Sequence, residues 1–343
     1  MRKLYFSLCA LLAFAMSADA AKRPNVVFLV SEDNSIHYLK LYGYEASTPS
    51  IEALAKDGLT FNHAFSNSPV CSVARSTLAT AMLAPRGGFQ YHRKSAMAKL
   101  PPGYKPWSAM LRKAGYFATN QRKTDYNFVH DMKELWDKGP ANAAWRARPG
   151  KDTPFFHMQS FAQSHESSLH FPQSVMDNQK TVHDPAKVKL APYFPDTPTF
   201  RYTHARYLDR MQVIDQQVGG VVKKLEEDGL LEDTFIFYFG DHGGVLPRGK
   251  GYACESGLHV PLVVRIPANF KHLVDHKRGS RTDGFVSFID FGPTVLHLAG
   301  LKPNPLTDGK AFLGKGISAR DLAGRDETFG YADRFDEKYD LVR

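Results

Sequence analysis

Two short apolar runs end in side chains that could hold a metal ion. Asn25-Val26-Val27-Phe28-Leu29-Val30 leads through Ser31 into Glu32 and Asp33, and Thr234-Phe235-Ile236-Phe237-Tyr238-Phe239 leads through Gly240 into Asp241 and His242. Carboxylates and an imidazole at such places suit a divalent cation. The alternative for Glu32 and Asp33 is an acidic turn after a strand. The repeat of the same placement far apart in the chain favours the metal.

A second constellation is Cys71-Ser72-Val73-Ala74-Arg75. It opens a stretch of helical pattern, and a helix N-terminus presents unpaired N–H groups and a positive dipole end to anions such as sulfate or phosphate. The same field favours a thiolate, and Arg75 one turn on adds to it. On its own a Cys-x-x-x-Arg spacing is weak, and a buried structural cysteine is the plainer reading.

The elements that must position these residues are strands alternating with helices. Apolar runs without polar alternation are buried on both faces of a parallel sheet, and ligands bind beyond the carboxyl ends of its strands. Helices are predicted over 49–58 (with Ile51, Leu54 and Ala55 on one face), from Ser72, over 107–114, 202–227 and 291–299. Further strands are predicted over 59–65, 155–161 and 260–266, which gives an α/β, doubly wound, mostly parallel sheet between helices. Residues 167–198 are polar and proline-rich and are expected to form a long loop over the active-site edge.

The full sequence has 343 residues and a formal net charge of +9. That length accommodates a full α/β core, and the charge favours an acidic partner. Nucleic acid is not expected, because the basic residues are dispersed and no binding motif is present. Residues 1–20 read as a signal peptide: Arg2 and Lys3, an apolar stretch from Leu4 to Met16, then Ala18-Asp19-Ala20. That stretch is too short for a stable membrane span, so an exported protein, periplasmic or secreted, is expected. Cys9 belongs to the leader, and Cys71 and Cys254 lie in no disulfide-type framework.

In "RPNVVFLVSEDNS", "TPSIEALAKDGLTFNHAFSNSPVCSVARSTLAT", "GYFATNQRKTDYNF", "FGDHGG", "GKGYACESGLHVPLVVRIP" and "SFIDFGPTVLHLAG" the chain resembles the sulfatase family of the alkaline-phosphatase-like superfamily. The resemblance implies a catalytic domain over 21–325 and the opening of a small C-terminal subdomain, cut short, over 326–343. It implies that Cys71 is the cysteine oxidised to formylglycine by a formylglycine-generating or anaerobic maturation enzyme, with Arg75 the motif arginine. Glu32, Asp33, Asp241 and His242 fall on the metal positions, a hard set better suited to calcium than to zinc. Lys123 and Lys250 match the two active-site lysines, and His165 a histidine that protonates the leaving alcohol. His92 is a candidate for substrate contact or for loop structure. The implied reaction is hydrolysis of sulfate esters on a sulfated carbohydrate.

Val73 stands where the family motif has proline or alanine, and Ala74 replaces a frequent serine. Asp125 stands where many sulfatases have histidine, either to take a proton and face the substrate or to hydrogen-bond Lys123. Two competing readings follow. One is a catalytically silent sulfatase-like protein that binds sulfated glycans, for which Val73, Asp125 and the short C-terminal piece speak. The other is a phosphodiesterase or phosphatase of the same superfamily, against which the cysteine and the two lysines speak.

Overall fold

The computed structural model describes residues 22–93, 96–139 and 143–333. The expected signal peptide, residues 1–20, and residues 334–343 of the expected C-terminal piece lie outside the described residues.

The strands are β1 (Asn25–Ser31), β2 (Gly58–Phe61), β3 (Ala64–Phe65), β4 (Phe117–Gln121), β5 (Phe155–Phe161), β6 (Thr234–Gly240), β7 (Leu262–Arg265), β8 (Ser280–Thr282) and β9 (Val286–Ser287). Seven form one sheet in the order β4-β5-β1-β6-β7-β2-β8, while β3 and β9 pair separately. β1 runs parallel to β5 and β6, and β4 to β5; β7 alone opposes its neighbours β6 and β2.

The main helices are α1 (Pro49–Lys56), α2 (Cys71–Thr80), α3 (Trp107–Lys113), α4 (Pro198–Glu227) and α5 (Phe288–Leu298). β1 explains why they cover both faces. Its side chains alternate, so Val26, Phe28 and Val30 enter one apolar cluster with Leu78 of α2, Trp107 of α3 and Phe291 of α5. Val27 and Leu29 enter the other with Leu54 of α1 and Met211 and Ile214 of α4. Phe28 anchors the first layer, with ring centroids 5.0–6.0 Å from Trp107, Phe156, Phe237, Phe239 and Phe291. The expected doubly wound sheet is what forms.

The N-terminus of α1 is held from outside itself. Ser50 and Ile51 donate their backbone N–H groups to the Asp215 carboxylate of α4, at 3.1 and 2.9 Å. This satisfies two amides that no intrahelical partner can reach. Gly219 lets α4 come that close, since a Cβ there would lie 2.6 Å from Ser50 Oγ.

Several boundaries differ from the sequence reading; α1 ends at Lys56, and α4 begins at Pro198 rather than at 202. The strand expected over 59–65 divides: Asn62 still donates its N–H to Thr282 O of β8, but Ala64 and Phe65 pair with β9 as β3. The strand expected over 260–266 shortens to Leu262–Arg265, because Pro261 has no N–H to give and Val260 bonds Ala64 instead. α5 begins at Phe288, earlier than expected, because Ser287 and Asp290 form a capping box. The segment after Ser167 is mostly irregular but includes a short helix at Gln173–Asn178.

Two features serve the site. Ser31 is in register with Gly240, so β1 and β6 release the chain at the same level, and Asp241 N–H closes on Ser31 O at 3.1 Å. Residues from the start of the expected C-terminal piece pack back on the body: Tyr331 N–H donates to Asn67 O at 3.0 Å, and Asn67 donates to Phe329 O at 2.7 Å.

Candidate active site

Asp33, Cys71, Asp241 and His242 come together, with one ligand atom from each within 4.8 Å of all the others. All four are buried. The parallel register of β1 and β6 explains the meeting of Asp33 with Asp241: the Asp33 N–H donates to Asp241 Oδ1 at 2.8 Å. Asp33 adopts φ 51°, the left-handed region, at a local conformational cost. His242 Nε2 lies 3.0 Å from Asp33 Oδ1 and 3.2 Å from Cys71 Sγ.

Cys71 is the first residue of α2. Val70 before it makes no side-chain cap, so the opening amides of this helix face the cluster uncapped. Burial alone would raise the Cys71 thiol, but the His242 charge and hydrogen bonds with His165 and His242 bring it down to about 7.

Arg75 lies one turn deeper. Its Nε and Nη2 both donate to Asp241 Oδ2, at 3.2 and 3.0 Å, and its Nη1 to Ser160 Oγ at 3.0 Å. Burial would strip its charge, yet Asp241 and Glu32 hold it protonated, with its pKa raised.

Glu32 is not in the four-residue cluster. Its Oε2 accepts from Lys123 Nζ at 2.8 Å, and its Oε1 lies 3.9 Å from Arg75. Lys250 Nζ donates to Asp33 Oδ2 at 2.9 Å, and Glu166 approaches the same lysine at 3.3 Å. Both lysines are thus turned inward onto acids at the strand ends. Burial raises the Asp33 carboxyl, but His242 and Lys250 overcome it and hold the group well below the ordinary carboxylate range.

His165 faces Cys71 from the segment after β5, and the contact with Cys71 raises its pKa. Its ring also lies 3.0 Å from Ser167 Oγ. His92 contacts Ser72 Oγ at 3.0 Å, and burial, then Arg93, lowers it to about 4. Asp125 takes a bidentate pair from Arg93, at 3.2 Å for both bonds, and lies 3.9 Å from Lys123.

Four partners have no signal in the sequence reading. Arg93 fixes Asp125, Ser160 holds Arg75, and the Glu166 N–H donates to Asp33 Oδ2 at 2.8 Å. Tyr207, in the middle of α4, donates its hydroxyl to the Asp33 carbonyl. Arg93 and Glu166 are chain neighbours of predicted residues; Ser160 and Tyr207 are found only by packing.

The donor set fits a divalent cation. Asp33 and Asp241 offer hard oxygens in a buried pocket, and the charge they carry favours a proton on His242. Burial disfavours that proton, yet Asp241, Cys71 and Asp33 raise the imidazole well above its ordinary value. A cation would meet the same demand.

The family model for sulfatases matches residues 24–148 and 117–301. The chain is 31% identical to an ulvan-active sulfatase of Formosa agariphila, over 94% of this chain and 59% of that protein. It is 26% identical to N-acetylgalactosamine-6-sulfatase of Rattus norvegicus, over 84% of this chain and 64% of that protein. It therefore spans less than two thirds of the length of these relatives. Among solved structures, a phosphonate monoester hydrolase from Silicibacter pomeroyi superposes with a TM-score of 0.68 at 18% identity, covering 89% of this chain and 78% of that one. A sulfatase from a Pseudoalteromonas species superposes with a TM-score of 0.60 at 20% identity, covering 89% and 74%. These likenesses show the alkaline-phosphatase-like fold, and the family match, running through both strand-end motifs and the Cys71 helix, establishes that this chain belongs to the sulfatase family.

Proposed function

We propose that this chain carries the catalytic domain of a sulfatase that hydrolyses sulfate esters on a sulfated carbohydrate, with Cys71 at the nucleophile position. The observation that carries the reading is Cys71 itself, at an uncapped helix N-terminus with its sulfur 3.2 Å from His242 and 3.7 Å from Asp33. Converted to formylglycine by a maturation enzyme, Cys71 would supply a hydrated aldehyde as nucleophile. Asp33, Asp241 and His242 would hold a divalent cation, calcium by the hardness of the carboxylates, with Glu32 at its edge; bound there, it would neutralise charge on the sulfuryl oxygens.

The chain's own cations act on the same charge. Lys123 and Lys250 are preorganised by Glu32 and Asp33, so they meet charge that grows in the transition state without having to be reoriented. Arg75 orients Asp241 and is too buried to leave it. His165, with its pKa raised, is protonated over more of the near-neutral range and would protonate the leaving alcohol oxygen. His92, lowered to about 4, is neutral and suited to accept a hydroxyl hydrogen bond from substrate. Asp125 is engaged by Arg93, so its role is to seat that pair beside Lys123 rather than to serve as a free base.

Two observations favour the non-catalytic reading, in which the pocket binds a sulfated glycan without turnover. Val73 departs from the maturation motif, and Asp125 is bound up by Arg93. Sulfate release from an aryl sulfate and from a sulfated oligosaccharide, read beside the intact mass of the peptide spanning Cys71, decides between them. Turnover that tracks the converted fraction supports the sulfatase. Robust turnover with Cys71 wholly unmodified overturns the formylglycine mechanism, and binding without turnover in fully converted protein overturns the enzyme. Export, to the periplasm or beyond, belongs to the same proposal. It rests on residues 1–20, and among the described residues no helix is long and apolar enough to cross a membrane.

A further inference from the structure

Arg248 precedes Lys250 by two residues, in a tight loop closed by Lys250 N–H to Gly244 O at 2.7 Å and Gly249 N–H to Leu246 O at 3.0 Å. The Arg248 backbone is left-handed, φ 67°, a conformation that costs a non-glycine residue energy and is kept only where its surroundings impose it. Its guanidinium lies 4.8 Å from the centre of the Tyr193 ring. Arg248 is exposed, and among the described residues no carboxylate or other acceptor takes its N–H groups.

Stacking on an aromatic face uses the flat side of a guanidinium and leaves the N–H edge free. That edge is the fork that binds a carboxylate or a sulfate through two parallel hydrogen bonds. The ring it stacks on is itself fixed. Tyr193 packs edge-on to Phe194 at 4.7 Å, and Phe194 meets Phe200 of α4 at 4.9 Å. Lys189 N–H in the same segment donates to both oxygens of Glu45, at 3.1 and 3.2 Å, which ties the segment to the turn that carries Tyr44. Tyr44 is 42% exposed and stands edge-on to His37 at 5.3 Å. Burial, then Tyr193 and Glu255, raises the Tyr44 hydroxyl. The Glu255 carboxylate is engaged by His259, so it does not cancel Arg248.

We propose that Arg248, Tyr193 and Tyr44 form a saccharide subsite beside the sulfate pocket, which takes an anionic group on a sugar next to the one whose ester is cleaved. Tyr44 offers its exposed ring to the apolar side of a sugar, Tyr193 holds the guanidinium of Arg248 in place, and Arg248 grips the anion. Consecutive Cα atoms lie 3.8 Å apart, so Arg248 and Lys250 have Cα atoms within about 7 Å, and one saccharide chain can engage both. The subsite rests on the reading of the pocket as a sulfate-ester site, and it makes that site selective for polyanionic chains over isolated sulfate esters.

The test uses the full chain and two probes: a chondroitin sulfate hexasaccharide, which carries sulfate and carboxylate, and a neocarrahexaose, which carries sulfate alone. Binding is measured by calorimetry for wild type, Arg248→Gln, Tyr193→Ala and Lys223→Gln, a loss of the same charge on α4. Thermal unfolding confirms that each variant is folded. Arg248→Gln should weaken at least one probe by about tenfold or more, the scale of one charge-assisted bidentate contact. Tyr193→Ala should do the same, and Lys223→Gln should change neither. Weakening of the hexasaccharide alone identifies the anion as a carboxylate; weakening of both identifies sulfate. Binding measured this way needs no turnover, so failure of the sulfatase reading shows separately, as absent sulfate release from protein that still discriminates the variants. Equal affinities of Arg248→Gln and wild type for both probes overturn the subsite. So does wild-type protein that binds neither probe with a Kd below about 1 mM.

Discussion

Arg75 donates two hydrogen bonds to a single oxygen of Asp241, 3.2 Å from Nε and 3.0 Å from Nη2, inside a pocket where both side chains are almost wholly buried. The pair joins α2, which carries Cys71, to the end of β6, which carries the candidate metal ligands. Each charge in that pocket is stabilised by the other, with His242 also facing Asp241 and Glu32 also facing Arg75.

Arg75→Met should therefore destabilise the protein by about 3–5 kcal/mol, the range for stranding one member of a buried ion pair. Urea unfolding in the presence of a chelator measures it, so that a bound ion does not mask the loss. A change below about 1 kcal/mol, the scale of an exposed pair, would mean that water reaches Asp241.

Lys123→Ala and Lys250→Ala should each lower turnover of an aryl sulfate by about a hundredfold or more, as for one preorganised charge-stabilising group. The fall should appear in kcat rather than in KM. Equal rates in wild type and both variants would assign the lysines to structural pairing with Glu32 and Asp33 alone.

Calcium added to chelated protein should raise the melting temperature. Saturation at a hundred times Kd contributes about 2.7 kcal/mol to stability. Asp33→Asn and Asp241→Asn should abolish the response. An ion-independent melting temperature in the wild type would remove the metal from the site.

Acid should weaken the fold through His157. Burial lowers this imidazole from its ordinary value of 6.5 to about 4, with Thr119 Oγ1 at 2.8 Å. Between pH 6.5 and 4 the unfolded chain binds a proton at this position and the folded chain does not, so stability falls as pH falls. The slope is about 1.4 kcal/mol per pH unit for one such group. The contribution is whole above pH 6.5, and His157→Asn should flatten the curve in that window. A variant with an unchanged slope would place the acid sensitivity elsewhere, with His204, also lowered by burial to about 4, the next to test.

The strand-end residues were legible because parallel neighbours in register bring their carboxyl ends to one level, whatever their separation in the chain. Asp33 and Asp241 meet for that reason. Glu32, the other acid of the pair, turns its carboxylate to Lys123 and Arg75, because successive side chains at a strand end diverge. The antiparallel setting of β7 was not legible: an apolar run of four residues carries no direction. Nor was the Arg93–Asp125 pair, which joins two loops 32 residues apart and depends on both backbones turning left-handed.

Helix α2 is buried along its whole length, and Cys71 and Val73 have no exposed surface. The accessibility of Cys71 is therefore a question of time. α5, which packs on α2, ends 227 residues after Cys71 at Leu298. At about 5–20 residues per second, synthesis opens an interval on the order of ten to fifty seconds between the appearance of Cys71 and the completion of its cover. An enzyme that reads Cys71 together with its flanking residues as an extended peptide has that interval in which to act. Any delay in the pairing of β1 with β6 lengthens it, and any early collapse of α2 onto the sheet shortens it. The fraction of Cys71 modified would then report a race between folding and catalysis on the nascent chain, and slowing translation beyond Thr80 would raise it.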